Sequence, residues 1–169
     1  MKSKLLITRL GISFVFFFSQ QLLAEVVYEQ QPMYGRRNNS NANLFIDENQ
    51  GLLSNAIATF GTREHASEGY TEKGFDHYLN KEFKKSMKHF NQAWLLNPEN
   101  PYPYLGFALL MNVNKQSCEA YEMFKIANEK GVNENGFLAD YAYTTSQCAL
   151  TKHNSEKEGL FKLANELHE

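Results

Sequence analysis

The sequence predicts an all-α fold of about three helical hairpins with one extra helix before them. Two hexapeptides nearly repeat, FKIANE at Phe124 to Glu129 and FKLANE at Phe161 to Glu166. A column of matching residue types also returns at a shift of 34 residues, as from Phe90 to Phe124. Turn signals separate the stretches of helical period, most clearly Asn97-Pro98-Glu99-Asn100-Pro101. With 169 residues, 43% hydrophobic and 14% aromatic, the chain suits one globular domain with a sizeable core.

The N-terminus reads as an address rather than as part of that domain. Lys2, Lys4 and Arg9 precede the apolar run Leu10 to Phe18, and Leu22-Leu23-Ala24 ends on a small residue, so residues 1–24 are expected to be a secretory signal peptide cut near Ala24. An uncleaved anchor is the rival reading. Ser19, Gln20 and Gln21 interrupt the run, however, and leave it short of the ~20 apolar residues a spanning helix needs. No cysteine lies near the cut, which argues against a lipoprotein.

The expected localisation is therefore periplasmic or secreted, with no stable membrane insertion after cleavage. Removing the three leader cations moves the formal charge from -2 to -5. A mildly acidic exported chain has no global reason to bind nucleic acid or an anionic membrane.

Residues 25–44, rich in Asn and Gln and without helical period, read as an extended linker or arm. Asn38-Asn39-Ser40 fits the glycosylation pattern, which matters only in a eukaryotic secretory pathway. The helical domain is expected over 45–169. Phe45, Leu52, Leu53, Ile57 and Phe60 recur at near-helical spacing and predict the extra helix. Thr62 is a candidate cap for a helix reaching about Asn80, and another helix is expected from about Glu82 to Leu96. Lys81, Lys84, Lys85 and Lys88 would share one face of a helix, most simply a solvated one.

At the shift of 34, Tyr70 meets Tyr104, Gly74 meets Ala108, Ser86 meets Ala120, Phe90 meets Phe124 and Ala93 meets Ala127. Leu138 and Ala142 continue the first two columns, while Phe161 and Ala164 return after 37, as if a loop had been lengthened. These residues resemble the tetratricopeptide repeat family, whose 34-residue unit folds as two antiparallel helices. The units would be about 67–100, 101–134 and 135–168. The family's small, aromatic and small positions, with its closing Pro, fall on Gly74, Ser86, Phe90, Ala93 and Pro98 in the first unit. They fall on Ala108, Ala120, Phe124 and Ala127 in the second, where Val132 stands in place of Pro, and on Ala142, Phe161 and Ala164 in the third.

The resemblance implies a right-handed solenoid. It makes the two hexapeptides packing units, with their Lys, Asn and Glu pointing outward. It also implies that the start of the second unit's second helix adjoins the end of the third unit's first helix. That would bring Cys118 to Cys148 as a structural disulfide, allowed in an oxidising compartment.

Signatures of catalysis are missing from the sequence: no GxSxG, HExxH, GxxxxGK[ST] or GxGxxG, no CxxC, and no Cys and His at zinc spacing. His65, His77 and His89 are spaced evenly across a helix break, and coincidence explains the spacing better than a shared site. No metal or cofactor is expected. A small secreted hydrolase or effector remains the alternative, since paired carboxylates cannot be judged from spacing alone.

The leading expectation comes from the resemblance: a scaffold whose first helices form a concave surface holding a peptide or helix of a partner protein. Its groove positions carry over to Thr71, Phe75 and Tyr78, to Tyr102, Leu105, Leu109 and Asn112, and to Ala139, Tyr143 and Gln147. The residues of the carboxylate-clamp subgroup are absent. Two arrangements stay open, an open groove and one filled by the chain's own 45–60 helix or by the arm near Tyr28 and Tyr34. With only three units, the extra helix is expected to cap the stack unless the protein assembles with a partner.

Overall fold

Seven α-helices and no strand make up residues 50–168, the part of the chain described by a computed structural model. They are α1 (Gln50–Phe60), α2 (Arg63–Leu79), α3 (Phe83–Leu96), α4 (Tyr102–Val113), α5 (Ser117–Glu129), α6 (Phe137–Ala149) and α7 (Asn154–Glu166). The expected leader, the arm, the Asn38 motif and Phe45 lie outside the described residues.

Thr62 caps α2 as its sequence position predicts, its hydroxyl accepting from the His65 amide at 3.1 Å. From there α2 runs antiparallel to α3, and three contacts fix the register. Arg63 donates to the carbonyls of Leu96 and Leu95 at 3.0 and 3.1 Å, the Ser67 hydroxyl to Ala93 at 2.8 Å, and the Ser86 hydroxyl to Gly74 at 2.8 Å. Both hydroxyls are fully buried, where an unpaired polar group would be costly, so each bond specifies one alignment.

The aromatic column explains the small residues. Phe90 is fully buried between Gly74 of α2 and Gly106 of α4, and a Cβ on either glycine would fall 2.5 Å from its Cε1. Gly106 carries no expected role from the repeat, although a glycine inside a helix is itself a signal of close approach. Phe90 then meets Phe107 edge-on with centroids 6.3 Å apart. Trp94 Nε1 donates to the Tyr104 hydroxyl at 2.9 Å, which in turn donates to the Pro98 carbonyl at 3.0 Å. These pairs make α3 and α4 antiparallel as well.

One element is apolar on nearly every side. Pro103 to Ala108 and Leu110 of α4 are all buried, as expected of a central helix rather than a surface one. Its Pro103 sits in the first turn, where a missing N–H leaves no bond unmade. Next along the chain, Phe124 of α5 stacks on Tyr141 of α6 at 5.8 Å and lies 5.7 Å from Phe137. Cys118 at the start of α5 and Cys148 at the end of α6 form a disulfide, with Cα atoms 4.6 Å apart. The antiparallel order therefore continues, so that α2, α4 and α6 alternate with α3, α5 and α7.

Helix ends supply the turns. α2 and α4 close with the same pair of bonds, Lys81 N to Tyr78 O with Glu82 N to His77 O, and Lys115 N to Asn112 O with Gln116 N to Met111 O. That is the Schellman arrangement, and it puts Lys81 and Lys115 in the left-handed region at φ 60° and 61°. Lys81 thus lies in the turn before α3 and does not share a helical face with Lys84, Lys85 and Lys88, contrary to the sequence expectation. The cause is the helix stop two residues earlier, which the lysine spacing conceals.

The two ends of the molecule are thinner. α1 packs through Ala56 onto Ala66 and Leu96, with Leu53, Phe60 and Tyr70 around them, and so covers the outer end of the first hairpin. In α7 only Ala164 is buried, and Phe161 is partly exposed although its counterparts Phe90 and Phe124 are not. The remaining packing positions, Gly74, Ser86, Ala93, Ala108, Ala120, Ala127 and Ala142, are buried, while Pro98 is half-buried in the turn.

Candidate functional site

The side chains expected to form a groove sit on α2, α4 and α6. Phe75 and Tyr78 lie near the end of α2, half-buried; Phe75 meets Phe90 edge-on at 4.9 Å and Tyr78 leans on Phe83 at 5.9 Å. Tyr102 and Leu109 of α4 are likewise half-buried against the core. Tyr143 of α6 is 61% exposed. Leu105 differs from them: it is buried at 8% exposure among the core residues, because α4 is enclosed on almost all sides. Thr71 is also buried, bonded to the Ser67 carbonyl at 2.7 Å and taken up by Asn100. Ala139 is exposed and Gln147 half-buried.

Polar contacts tie these helices to one another. Asn112 donates to the Thr144 hydroxyl at 2.7 Å, joining α4 to α6. Burial raises the Tyr78 phenol above its ordinary value, and Asp140 of α6 adds to the shift, so the end of α2 faces the start of α6. Tyr102 is raised in the same way by burial and by its hydrogen-bonded neighbour Glu134.

Sequence reasoning missed three features. Asn100, buried in the turn between α3 and α4, donates to Ser67 at 2.9 Å and Thr71 at 3.3 Å and accepts from the Tyr102 amide at 3.1 Å, stitching that turn to α2. His77 and His89, set aside as coincidence, stack with centroids 5.0 Å apart, because α2 and α3 fold back on each other; His65 is exposed and takes no part. Glu82 holds His77 Nδ1 at 2.5 Å, while His89 meets Gln92 at 2.9 Å. Burial pushes the His89 pKa down. A carboxylate orienting an imidazole is half of a catalytic arrangement, but among the described residues no Ser, Thr or Cys hydrogen-bonds to either ring.

The third feature is a cleft of about 650 Å³ over the disulfide, between α5 and α7, lined among others by Glu119, Tyr121, Glu122, Lys152, Glu156 and Leu160. Its cation is spoken for, since Lys152 bonds Glu156 at 2.8 Å and is raised by that bond. Among the described residues, no group of three or more His, Cys, Asp or Glu side chains is arranged to hold a metal.

The repeated hexapeptides contribute packing. Phe124, Ala127 and Ala164 are buried, whereas Lys125, Asn128, Glu129, Lys162, Asn165 and Glu166 are exposed. No protein-family model, no curated protein and no solved structure matches this chain, so its functional reading rests on its own residues.

Proposed function

We propose that this chain is an exported tetratricopeptide-like scaffold whose α2, α4 and α6 hold an apolar peptide or helix of an envelope or secreted protein. The observation that carries the reading is the set of aromatic and aliphatic side chains on these helices, with Phe75, Tyr78, Tyr102 and Leu109 half-buried and Tyr143 largely exposed. Large rigid side chains of this kind bury much area on binding for little lost rotamer freedom. Asn112 and Gln147 would supply polar contacts at the margin. The equivalent roles of Phe90 and Phe124, and the matching turns at Lys81 and Lys115, support a repeating unit. The disulfide supports export. So does the apolar leader pattern.

A groove filled by the chain's own helix receives no support from α1. Its described residues pack on Ala66, Tyr70 and Leu96 rather than on Phe75 or Tyr143. The test is capture from the native compartment by the wild type and by a Phe75→Ala/Tyr143→Ala double variant. The variant should retain its helical circular dichroism and lose the captured partner; equal capture by both proteins would remove the groove from consideration.

A further inference from the structure

The last hairpin departs from the two before it. Phe161 and Ala164 follow Phe124 and Ala127 by 37 residues, whereas Phe124 follows Phe90 by 34, and the three extra residues are less than one helical turn. A looser last helix accompanies that offset. Phe161 stays partly exposed where Phe90 and Phe124 are fully buried, and α7 packs on α6 while standing off from α5. The space left between α5 and α7 is the cleft of about 650 Å³ over the disulfide. Its volume lies in the range of small-molecule sites.

The lining of the cleft combines apolar and acidic side chains. Tyr121 of α5, half-buried and packed on Tyr141 with ring centroids 6.0 Å apart, joins the half-buried Leu160 and Leu163 of α7 as its apolar part. Glu119 and Glu122 of α5 and Glu156 of α7 supply carboxylates. Lys152 bonds Glu156 at 2.8 Å, and Glu122 lies near enough to raise the lysine further without pairing with it. No ion pair among the described residues engages Glu119 or Glu122. Negative charge is therefore in excess beside an aromatic ring. Gly159 adds an independent observation. Gly69, Gly74 and Gly106 each make room for a phenylalanine ring within 2.5 Å of a built Cβ, but nothing lies within 4 Å of one at Gly159, which also lines the cleft. Glycine is a poor helix former, and no packing within the chain calls for it there. Close approach of a bound molecule to bare backbone does.

We propose that this cleft binds a small organic ammonium ion with an apolar body. The cationic head would meet Glu119, Glu122 and the Tyr121 ring, since carboxylates beside an aromatic face attract substituted ammonium groups through both charge and the ring quadrupole. The body would lie along Leu160, Leu163 and the bare backbone at Gly159. Other small ligands fit less well. Unpaired carboxylates repel an anion, and among the described residues no three His, Cys, Asp or Glu side chains are arranged to replace the hydration shell of a metal ion. The disulfide ties the start of α5 to the end of α6 and so holds the base of the cleft in place. The inference does not rest on the groove reading, whose residues lie on α2, α4 and α6.

The experiment is an amide NMR titration of the purified, oxidised chain with benzyltrimethylammonium, carried to about 10 mM because a ligand of that size binds on the order of 1 mM. Phenylpropanol, neutral and of similar size, and tetramethylammonium, a cation with no apolar body, are titrated beside it. The wild type should show saturable shifts at Glu122, Gly159 and Leu160 with benzyltrimethylammonium and much weaker binding of the other two. Glu119→Gln/Glu122→Gln should weaken the binding about tenfold. Gly159→Leu should abolish it by filling the cleft. That variant should unfold at no lower urea than the wild type, because leucine is the better helix former and meets open space, so its loss of binding is not loss of fold. The proposal is overturned by a wild type without saturable shifts at these residues, by either variant binding as the wild type does, or by phenylpropanol or tetramethylammonium binding as tightly as benzyltrimethylammonium.

Discussion

Glycine at 74 and glycine at 159 look alike in the sequence, yet their surroundings give them opposite prospects. Alanine is the better helix former at both by about 1 kcal/mol. At Gly74 the added Cβ would press 2.5 Å from the Phe90 ring, which is locked between two helices, whereas nothing lies within 4 Å of Gly159. Gly74→Ala should therefore lose about 1–3 kcal/mol to overpacking, and Gly159→Ala should gain about 0.5–1 kcal/mol. Urea unfolding of the two single variants checks both signs. His89 supplies the pH dependence. Burial lowers its pKa from the ordinary 6.5, with the charges of His77, Lys73 and Lys88 adding to the effect and the Gln92 hydrogen bond opposing it. The unfolded chain then binds the proton more readily, so stability rises with pH through the window just below 6.5 and falls on acidification. Glu82 is lowered by its bonds to Lys85 and His77, and its contribution is lost only at more acid pH, below the ordinary 4.5. The urea midpoint should fall between about pH 7 and pH 5.5, and His89→Gln should flatten that part of the profile.

At the scale of elements, the disulfide and the buried aromatics do different jobs. Cys118 and Cys148, 30 residues apart, staple the start of α5 to the end of α6, and constraining a loop of that length in the unfolded chain is worth about 3–4 kcal/mol. Reduction should lower the urea midpoint accordingly while leaving the helical spectrum largely intact below the new transition. Intact mass of the protein with two free thiols would contradict the bond. Phe124 acts through packing. It is fully buried against Phe137 and Tyr141, and Phe124→Ala should cost about 3–5 kcal/mol, measured in the oxidised protein so that the staple is held constant. Two of the helices were legible from spacing and caps: Thr62 and the Asn97 to Pro101 turn gave α2 and α3 to within a residue or two. Lys81 was misplaced because a Schellman stop on a lysine carries no glycine to announce it.

Across the whole molecule each helix packs mainly on its neighbours in sequence, so stability should grade from a firm middle to looser ends. α4 is enclosed, while α7 buries only Ala164 and α1 rests on a small cluster around Ala56. Native-state hydrogen exchange should show the slowest amides in α3, α4 and α5 and the fastest in α7 and α1. Uniform protection across all helices would contradict this gradation. The repeat alignment assigned the candidate groove residues to α2, α4 and α6, and it carried no information on their accessibility. Leu105 and Tyr143 fall on the same side in a repeat alignment, yet one is covered on all sides and the other stands open.

The sequence by itself determined the helical class, the hairpin register and the pairing column of small and aromatic residues, because these depend on periodicity and local sterics that a chain carries along its length. Tertiary structure decided what distance along the chain hides. It placed Phe90 between two glycines of different hairpins, stacked His77 on His89, and tied Asn100 to Ser67. Each of these is a meeting of side chains remote in sequence, and only the packing of one helix against another sets which of them touch and which remain open to solvent.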